Sequence, residues 1–249
     1  MNAIILSAGS AIRLGNLTKE LPKGLLEING KTIIERQIEI YRRNGIENII
    51  LIVGPHSDKY NIKDVTYVED YEHENHDVLG SLMTSAKYMN EGFIMSYSDI
   101  VFEEEIIQDI LSFQGDFGLG VDLNWKKNYE KRTLHPIEQA DNVIIKEGKI
   151  QKIRKNIAEK NEGELLGEFI GIMKLSKNGS KLLRDRYSEL KNSHSGKFQD
   201  SDSFEKSYLT DIVQDLVDLG HNIESIDIKN IWCEIDTPED LLTARKKIN

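Results

Sequence analysis

The 249-residue chain has a single cysteine, four prolines, no hydrophobic run longer than a strand, and fewer cationic than anionic side chains. One cysteine, Cys233, precludes an internal disulfide and implies a reducing, cytoplasmic setting. Its neighbours Trp232 and Glu234 place it in a predicted strand, as a small core residue rather than a nucleophile. A membrane-spanning helix needs about 20 consecutive apolar residues, and the apolar stretch near Met1 is only a strand long without a charged leader, so neither span nor secretory signal is expected. With 32 Lys and Arg against 42 Asp and Glu, the net charge of −10 excludes nucleic acid and anionic membrane as partners, because most of the surface repels a polyanion. Neither G-x-x-x-x-G-K-[ST] nor G-x-G-x-x-G occurs, which sets aside Walker-type and dinucleotide sites. His56, His73, His76, His135, His194 and His221 lack zinc-site spacing and read as surface or packing residues.

What the chain does have begins at Ala3. The segment AIILSAGSAIRLGNLTKELPKGL opens with a continuous apolar run, Ala3 to Leu6, of the kind buried on both faces of a parallel sheet. Ser7, Ala8, Gly9, Ser10 and Ala11 follow without one bulky side chain, so backbone N–H groups there can approach an anion closely. Arg13 and Lys23 supply positive charge to that loop. Any strand-to-helix turn favours small residues, so the cations, not the glycine, make the segment informative.

Strand–helix alternation continues to about Val121. A helix is expected over residues 31–43, with Ile34, Ile38 and Tyr41 on one face, and another over 81–89. Strands are expected at 49–53, 65–69, 93–98 and 117–121, which implies a mostly parallel mixed sheet with right-handed crossovers. Beyond Asp122 the pattern changes to a hairpin, 143–146 and 149–154, turning through Glu147-Gly148, then a strand at 168–175. Helices at 176–189 and 204–219 enclose a polar, glycine-containing segment, 191–203, read as a mobile loop; a strand follows at 222–228. Thr237-Pro238-Glu239-Asp240 opens a last helix, threonine as N-cap and proline at its first position. The acidic run Glu103 to Glu105 reads as a helix first turn, where negative charge suits the helix dipole. The expected fold is therefore α/β: a Rossmann-like, mostly parallel mixed sheet flanked by helices with a small C-terminal acceptor-binding lobe, read as one domain over 1–249 with a nucleotide-binding core of 1–122 and an acceptor-binding and C-terminal part over 123–249.

Ligands in such sheets sit beyond the strand C-terminal ends. Asp99 follows the strand 93–98 there, and Asp236 lies between a strand-like run and the last helix in WCEIDTPEDLLTARK. Two hard oxygen ligands from distant loops, completed by phosphate oxygens and water, suit octahedral Mg²⁺; a helix cap is the plainer alternative for Asp99.

These motifs together resemble the nucleoside triphosphate transferase superfamily. LSAGSAIRLG followed by LPKGLLEINGK is similar to its L-A-A-G-x-G-x-R-L and P-K signature, departing at Ser7 and at Ala11, where alanine replaces the second glycine. Ser98-Asp99 and Trp232-x-Glu234-x-Asp236-Thr237-Pro238-x-Asp240-Leu241 match its two metal motifs. The resemblance implies a loop from Leu6 through Ala11 wrapping base and triphosphate, Arg13 and Lys23 contacting phosphates and leaving pyrophosphate, and Asp99 with Asp236 holding magnesium. Asp240 is assigned instead to the helix N-terminus.

VDLNWKKNYEKRTLHPIEQA, GEFIGIMKLSKNG and SYLTDIVQDLVDLG are similar to cytidylyltransferases acting on small phosphorylated alcohols and phosphonates. That branch implies CTP and a compact phosphate or phosphonate acceptor as partners, such as phosphocholine or 2-aminoethylphosphonate; a homodimer is left open. Its T-N-x-V-x-S-L pattern aligns with HDVLGSL and places Asp77 and Ser81 at the nucleotide pocket. Asp77 in place of asparagine either favours an amine-bearing acceptor or caps a helix. Asp122, Arg132, Lys155, Glu168 and Trp232 are carried over as acceptor-site candidates, with surface ion pairing the plainer reading of the charged ones. A sugar-1-phosphate transferase using UTP, dTTP or GTP and a non-catalytic nucleotide sensor are the competing readings.

Overall fold

The computed structural model describes residues 1–9, 14, 21–130 and 132–248. Ser10, Ala11 and Arg13 lie outside the described residues. The chain begins with β1 (Asn2–Ser7), whose Ala3 and Ile5 pack on one side of the sheet and Ile4 and Leu6 on the other. A two-stranded turn, β2 (Glu27–Ile28) and β3 (Lys31–Thr32), leads into α1 (Ile33–Arg43), where Thr32 and Glu35 form a capping box. Next come β4 (Ile49–Val53), β5 (Thr66–Glu69), α2 (Val78–Met83), β6 (Phe93–Tyr97), β7 (Ile100–Phe102) and α3 (Glu104–Ser112). The second half holds β8 (Phe117–Asp122), α4 (Lys126–Tyr129), β9 (Asp141–Lys146), β10 (Lys149–Lys155), β11 (Leu165–Leu175), α5 (Lys177–Ser193), α6 (Leu209–Asp218), β12 (Glu224–Asp227), β13 (Trp232–Glu234) and α7 (Pro238–Lys247).

Nine strands form one mixed sheet, ordered β5-β4-β1-β6-β11-β8-β12-β10-β9. Pairings from β5 to β6 are parallel, as the buried apolar runs require; β11 then runs antiparallel to β6, β8 and β9. One apolar layer, including Phe93, Phe117, Leu183 and Ile212, fills the face covered by α5 and α6; a second, including Ile34, Tyr41, Ile106 and Ile110, fills the face under α1 and α3.

The β9–β10 hairpin pairs Lys146 with Lys149 across Glu147 and Gly148, which have φ of 51° and 76°. Two left-handed residues in a two-residue loop match the twist of the flanking strands. Gly148→Ala forces a Cβ into that conformation and is expected to cost about 1 kcal/mol, read from urea unfolding.

Three expectations change. The helix of 81–89 is α2 starting at Val78, with a separate turn at Ala86–Tyr88. The helix of 204–219 begins only at Leu209, where Asp211 accepts from the Tyr208 amide; residues before it carry buried Phe204 and Ser207 in turns. The segment 191–203 is not a featureless loop: α5 continues to Ser193, and Phe198 bridges Ser201 and packs edge-on against Phe204, 5.2 Å between ring centres. Two aromatic anchors in a polar-looking sequence outweigh its glycine.

Candidate active site

β1 and β6 are neighbours with Leu6 opposite Tyr97, so both chains leave the sheet at the same edge. The Ser98 amide donates to the Leu6 carbonyl at 3.0 Å, which fixes the first turn after β6 and sets Asp99 beside the small-residue loop. Lys23 arrives on a three-residue turn, Lys23–Leu25, preceded by Pro22. Gly24 is required there: a Cβ at that position would lie 2.4 Å from Ile34 Cδ1 and 3.1 Å from Ser98 Cβ. Its bare backbone lets the lysine turn pack onto the strand that ends in Asp99.

Asp236 is brought in by a second device. β7 and β13 form their own antiparallel ladder, with Trp232, Cys233 and Glu234 opposite Phe102, Val101 and Ile100. The ladder extends by one bond from the Ile235 amide to the Asp99 carbonyl, 2.8 Å, so the residues flanking it, Asp99 and Asp236, meet. Lys23 Nζ donates to Asp99 Oδ2 at 3.0 Å and to Asp236 Oδ1 at 2.5 Å. Burial works to lower the Lys23 pKa, but the two carboxylates outweigh it and hold the ammonium above its ordinary range.

The last helix pins Asp236 in turn. Thr237 caps α7, and Asp240 Oδ2 accepts from the amides of Asp236 and Thr237 at 3.1 and 2.8 Å. Asp240 also receives the Arg132 guanidinium at 2.7 and 3.0 Å. Asp240 thus serves the helix terminus, as expected, and Asp99 caps no helix: α3 starts at Glu104 after Glu103. Arg132 Nη2 reaches Glu234 Oε2 at 3.1 Å and lies 3.0 Å from His135 Nδ1, while that same nitrogen lies 3.1 Å from Asp236 Oδ2. Burial first, then Asp236 and Asp99, push Glu234 up to about 7 against the opposing pull of Arg132 and His135.

Of these groups, Lys23, Asp99, Glu234 and Asp236 line one wall of a cleft of about 330 Å³. Leu6, Ser7, Ala8 and Gly9 form its floor; His73, His76, Asp77, Val78 and Ser81 form a second wall on α2 and the turn before it. Ser81 Oγ donates to buried Asp70 at 2.6 Å, and His76 Nε2 lies 3.1 Å from the same carboxylate. Asp77 occupies the N-cap position of α2 without a side-chain capping bond. Asp141, Lys155 and Tyr208 close the cleft opposite, with Lys155 Nζ 5.3 Å from the Tyr208 ring centre.

The fold therefore gathers Leu6, Ser7, Ala8, Gly9, Lys23, Asp77, Ser81, Asp99, Lys155 and Asp236 at one cleft. Asp122, Arg132, Glu168 and Trp232 do not line it, nor are they surface ion pairs. Trp232 Nε1 donates to buried Asp122 at 3.0 Å, and Tyr129 donates to buried Glu168 at 2.5 Å. Burial, then Glu234, raises Glu168 well above the carboxylate range. Of the histidines read as surface or packing residues, His73 and His76 line the cleft, and His135 is buried against Asp236. Glu234, inside W-x-E-x-D, was open to recognition from its motif; His135 and Asp141 carry no local signal.

Asp99 and Asp236 fit a hard divalent cation. Both already hold a cationic nitrogen between them, and the buried Asp99 Oδ1 has no hydrogen-bond partner among the described residues. His135, Glu234 and Asp236 also offer atoms within 4.8 Å of one another, but the Arg132 guanidinium occupies that cluster as counterion.

Residues 3–119 match the family described as the MobA-like NTP transferase domain. The CTP:phosphoglutamine cytidylyltransferase of Campylobacter jejuni is 30% identical, over 97% of this chain and 98% of that one. A bifunctional protein GlmU of Methanococcus maripaludis is 30% identical over 98% of this chain, which spans 53% of that protein. Among solved structures, the CTP:phosphocholine cytidylyltransferase LicC of Streptococcus pneumoniae superposes with a TM-score of 0.73 at 19% identity, covering 100% of this chain and 99% of that chain. The inositol-1-phosphate CTP transferase of T. maritima gives 0.72 at 23% identity, covering 99% and 96%.

Proposed function

Because the chain belongs to the nucleotidyltransferase family of MobA-like NTP transferase domains, we propose that it transfers CMP from CTP to a small phosphorylated alcohol or phosphonate and releases pyrophosphate. The observation that carries this reading is the convergence of Lys23, Asp99 and Asp236 beside the loop that begins at Ser7. The choice of CTP is supported by the full-length similarity to a cytidylyltransferase.

In the reaction, an oxygen of the acceptor phosphate forms a bond to the α-phosphorus of CTP as the bond to the bridging α–β oxygen breaks, and the electron pair leaves with pyrophosphate. The nucleophile is already ionised at neutral pH, so no general base is needed; the demand is to bring two polyanions together in line. Lys23 supplies one fixed positive charge at the leaving phosphates, and Arg13 is assigned the same role from the loop signature. Asp99 and Asp236 would hold Mg²⁺, which supplies charge neutralisation at the reacting phosphates. Ala8 and Gly9 are assigned to the triphosphate, Asp77 and Ser81 to the nucleotide pocket and Lys155 to the incoming phosphate, an assignment supported by their all lining the cleft. Of Asp122, Arg132, Glu168 and Trp232, which do not line the cleft, Arg132 bears on it through Glu234.

Pyrophosphate release measured with CTP, UTP, dTTP, GTP and ATP against phosphocholine, aminoalkylphosphonates, phosphoamino acids and sugar 1-phosphates tests this. Release is expected with CTP and a non-sugar acceptor. Turnover confined to sugar 1-phosphates with UTP, dTTP or GTP overturns it and selects the sugar-nucleotide reading that the GlmU similarity represents.

A further inference from the structure

Tyr97 brings to the cleft a hydroxyl with a built position and no partner. It is the last residue of β6, just before Ser98-Asp99, and lines the cleft. Its carbonyl accepts from Gln37 Nε2 at 2.8 Å, while its phenol oxygen makes no hydrogen bond among the described residues.

The ring is held by a local irregularity in the neighbouring strand. β11 shifts its register against β8 between Phe169 and Met173, and within that stretch Gly171 has φ of 79°. A Cβ on Gly171 would lie 2.5 Å from Tyr97 Cδ2 and 3.2 Å from Cε2, so the bare glycine makes the space that the ring fills. Phe169 meets the same ring edge-on, with centres 6.3 Å apart. A phenol fixed this firmly with its oxygen unpaired costs stability unless a ligand accepts from it.

The neighbours of the hydroxyl locate it between the two walls that the reactants must share. Burial first, then Asp141, Asp99, Glu234 and Tyr208, raise its pKa well above the ordinary tyrosine range. Asp99 and Glu234 belong to the wall of Lys23, whereas Asp141 and Tyr208 belong to the wall of Lys155 opposite. A phosphate entering there meets carboxylates on both sides. Tyrosine keeps its proton at neutral pH, so the group is a neutral donor and not a base. It attracts an anion without the cost of burying another charge, and a directional bond to one phosphate oxygen turns a second toward its target.

We propose that Tyr97 is a further catalytic residue: its hydroxyl donates a hydrogen bond to a non-bridging oxygen of the acceptor phosphate or phosphonate and aligns the attacking oxygen with the bond that breaks. The proton stays on the tyrosine throughout, in keeping with a nucleophile that is already ionised. This proposal rests on the transfer reaction above and is independent of what the acceptor carries beyond its phosphate.

Tyr97→Phe removes the hydroxyl and keeps the ring against Phe169 and Gly171. In pyrophosphate release across the acceptor panel, kcat/KM for the acceptor is expected to fall at least about ten-fold, the scale of one hydrogen bond to a charged group, with the dissociation constant of the Mg²⁺–CTP complex unchanged. The urea-unfolding midpoint is expected to stay or rise, because no hydrogen bond within the protein is lost. A smaller fall, an equal loss of CTP affinity, or a lowered midpoint overturns the proposal. Should no acceptor release pyrophosphate from CTP with wild type, the transfer reading fails on its own, and binding of methylphosphonate to the protein with Mg²⁺ and α,β-methylene-CTP, followed by phosphorus NMR, decides. Binding weakened at least about ten-fold in Tyr97→Phe then supports the contact. A smaller change, or no binding to wild type, refutes it.

Discussion

Lys23→Met is expected to lower the rate of pyrophosphate release at least ~10²-fold with folding intact, the scale for one preorganised electrostatic group in a reacting site. The lysine touches both Asp99 and Asp236 and is 15% exposed in its side chain, so its charge acts through little water. Methionine keeps the aliphatic stem packed and removes only the ammonium, leaving two carboxylates facing each other. Asp99→Asn is expected to cost a similar factor, and the double variant much less than the product, because the groups act as a unit. Rates within ten-fold of wild type for Lys23→Met would exclude its place at the leaving phosphates. Single-turnover measurements separate a chemical defect from slow product release.

Asp240→Ala has the largest expected effect on stability, about 3–5 kcal/mol, measured by urea or thermal unfolding. Three functions sit on one carboxylate that is 4% exposed: it completes the α7 capping box, accepts the Asp236 amide, and neutralises Arg132 through two bonds. Loss of the cap alone costs about 1 kcal/mol. The larger part comes from Arg132, left among Tyr129, His135 and Glu234 with one counterion fewer. Asp240→Asn retains an acceptor for the amides and should recover about the capping share. If alanine costs no more than the cap, Arg132 is solvated well enough to stand alone, and the buried network is not what holds the 126–140 segment against α7.

The parallel half of the sheet was legible because its strands are buried on both faces and written as near-continuous apolar runs: Ala3 to Leu6 and Ile49 to Val53 admit no other reading. Glu147-Gly148 and Thr237-Pro238 carry local backbone chemistry, and both elements fall where that chemistry places them. The residues of the cleft read from motifs, among them Lys23, Asp99 and Asp236, come together for a reason the motifs do not state. β7 and β13 are only three residues each, too short for periodicity to register, yet they make the encounter. His135 and Asp141 belong to no signature motif, and tertiary packing alone sets the first against Asp236 and the second at the cleft. The start of α6 was misplaced for the opposite reason: Phe204 carries helical spacing, while Ser207 is buried in a turn that donates to the Phe204 carbonyl.

The β7–β13 ladder has a mechanical consequence. Asp99 and Asp236 belong to a small rigid frame of their own, closed by the Ile235–Asp99 bond and separate from the nine-stranded sheet. The opposite walls, α2 with its preceding turn and the β9–β10 edge with Tyr208, hang from other parts of the molecule. Those two walls are instead tied to one another, the Asp77 and Leu79 amides donating to the carbonyls of Glu205 and Ser207 at 3.0 and 3.3 Å just before Tyr208, so the spacing of the two carboxylates is set by one device and the width of the cleft by another.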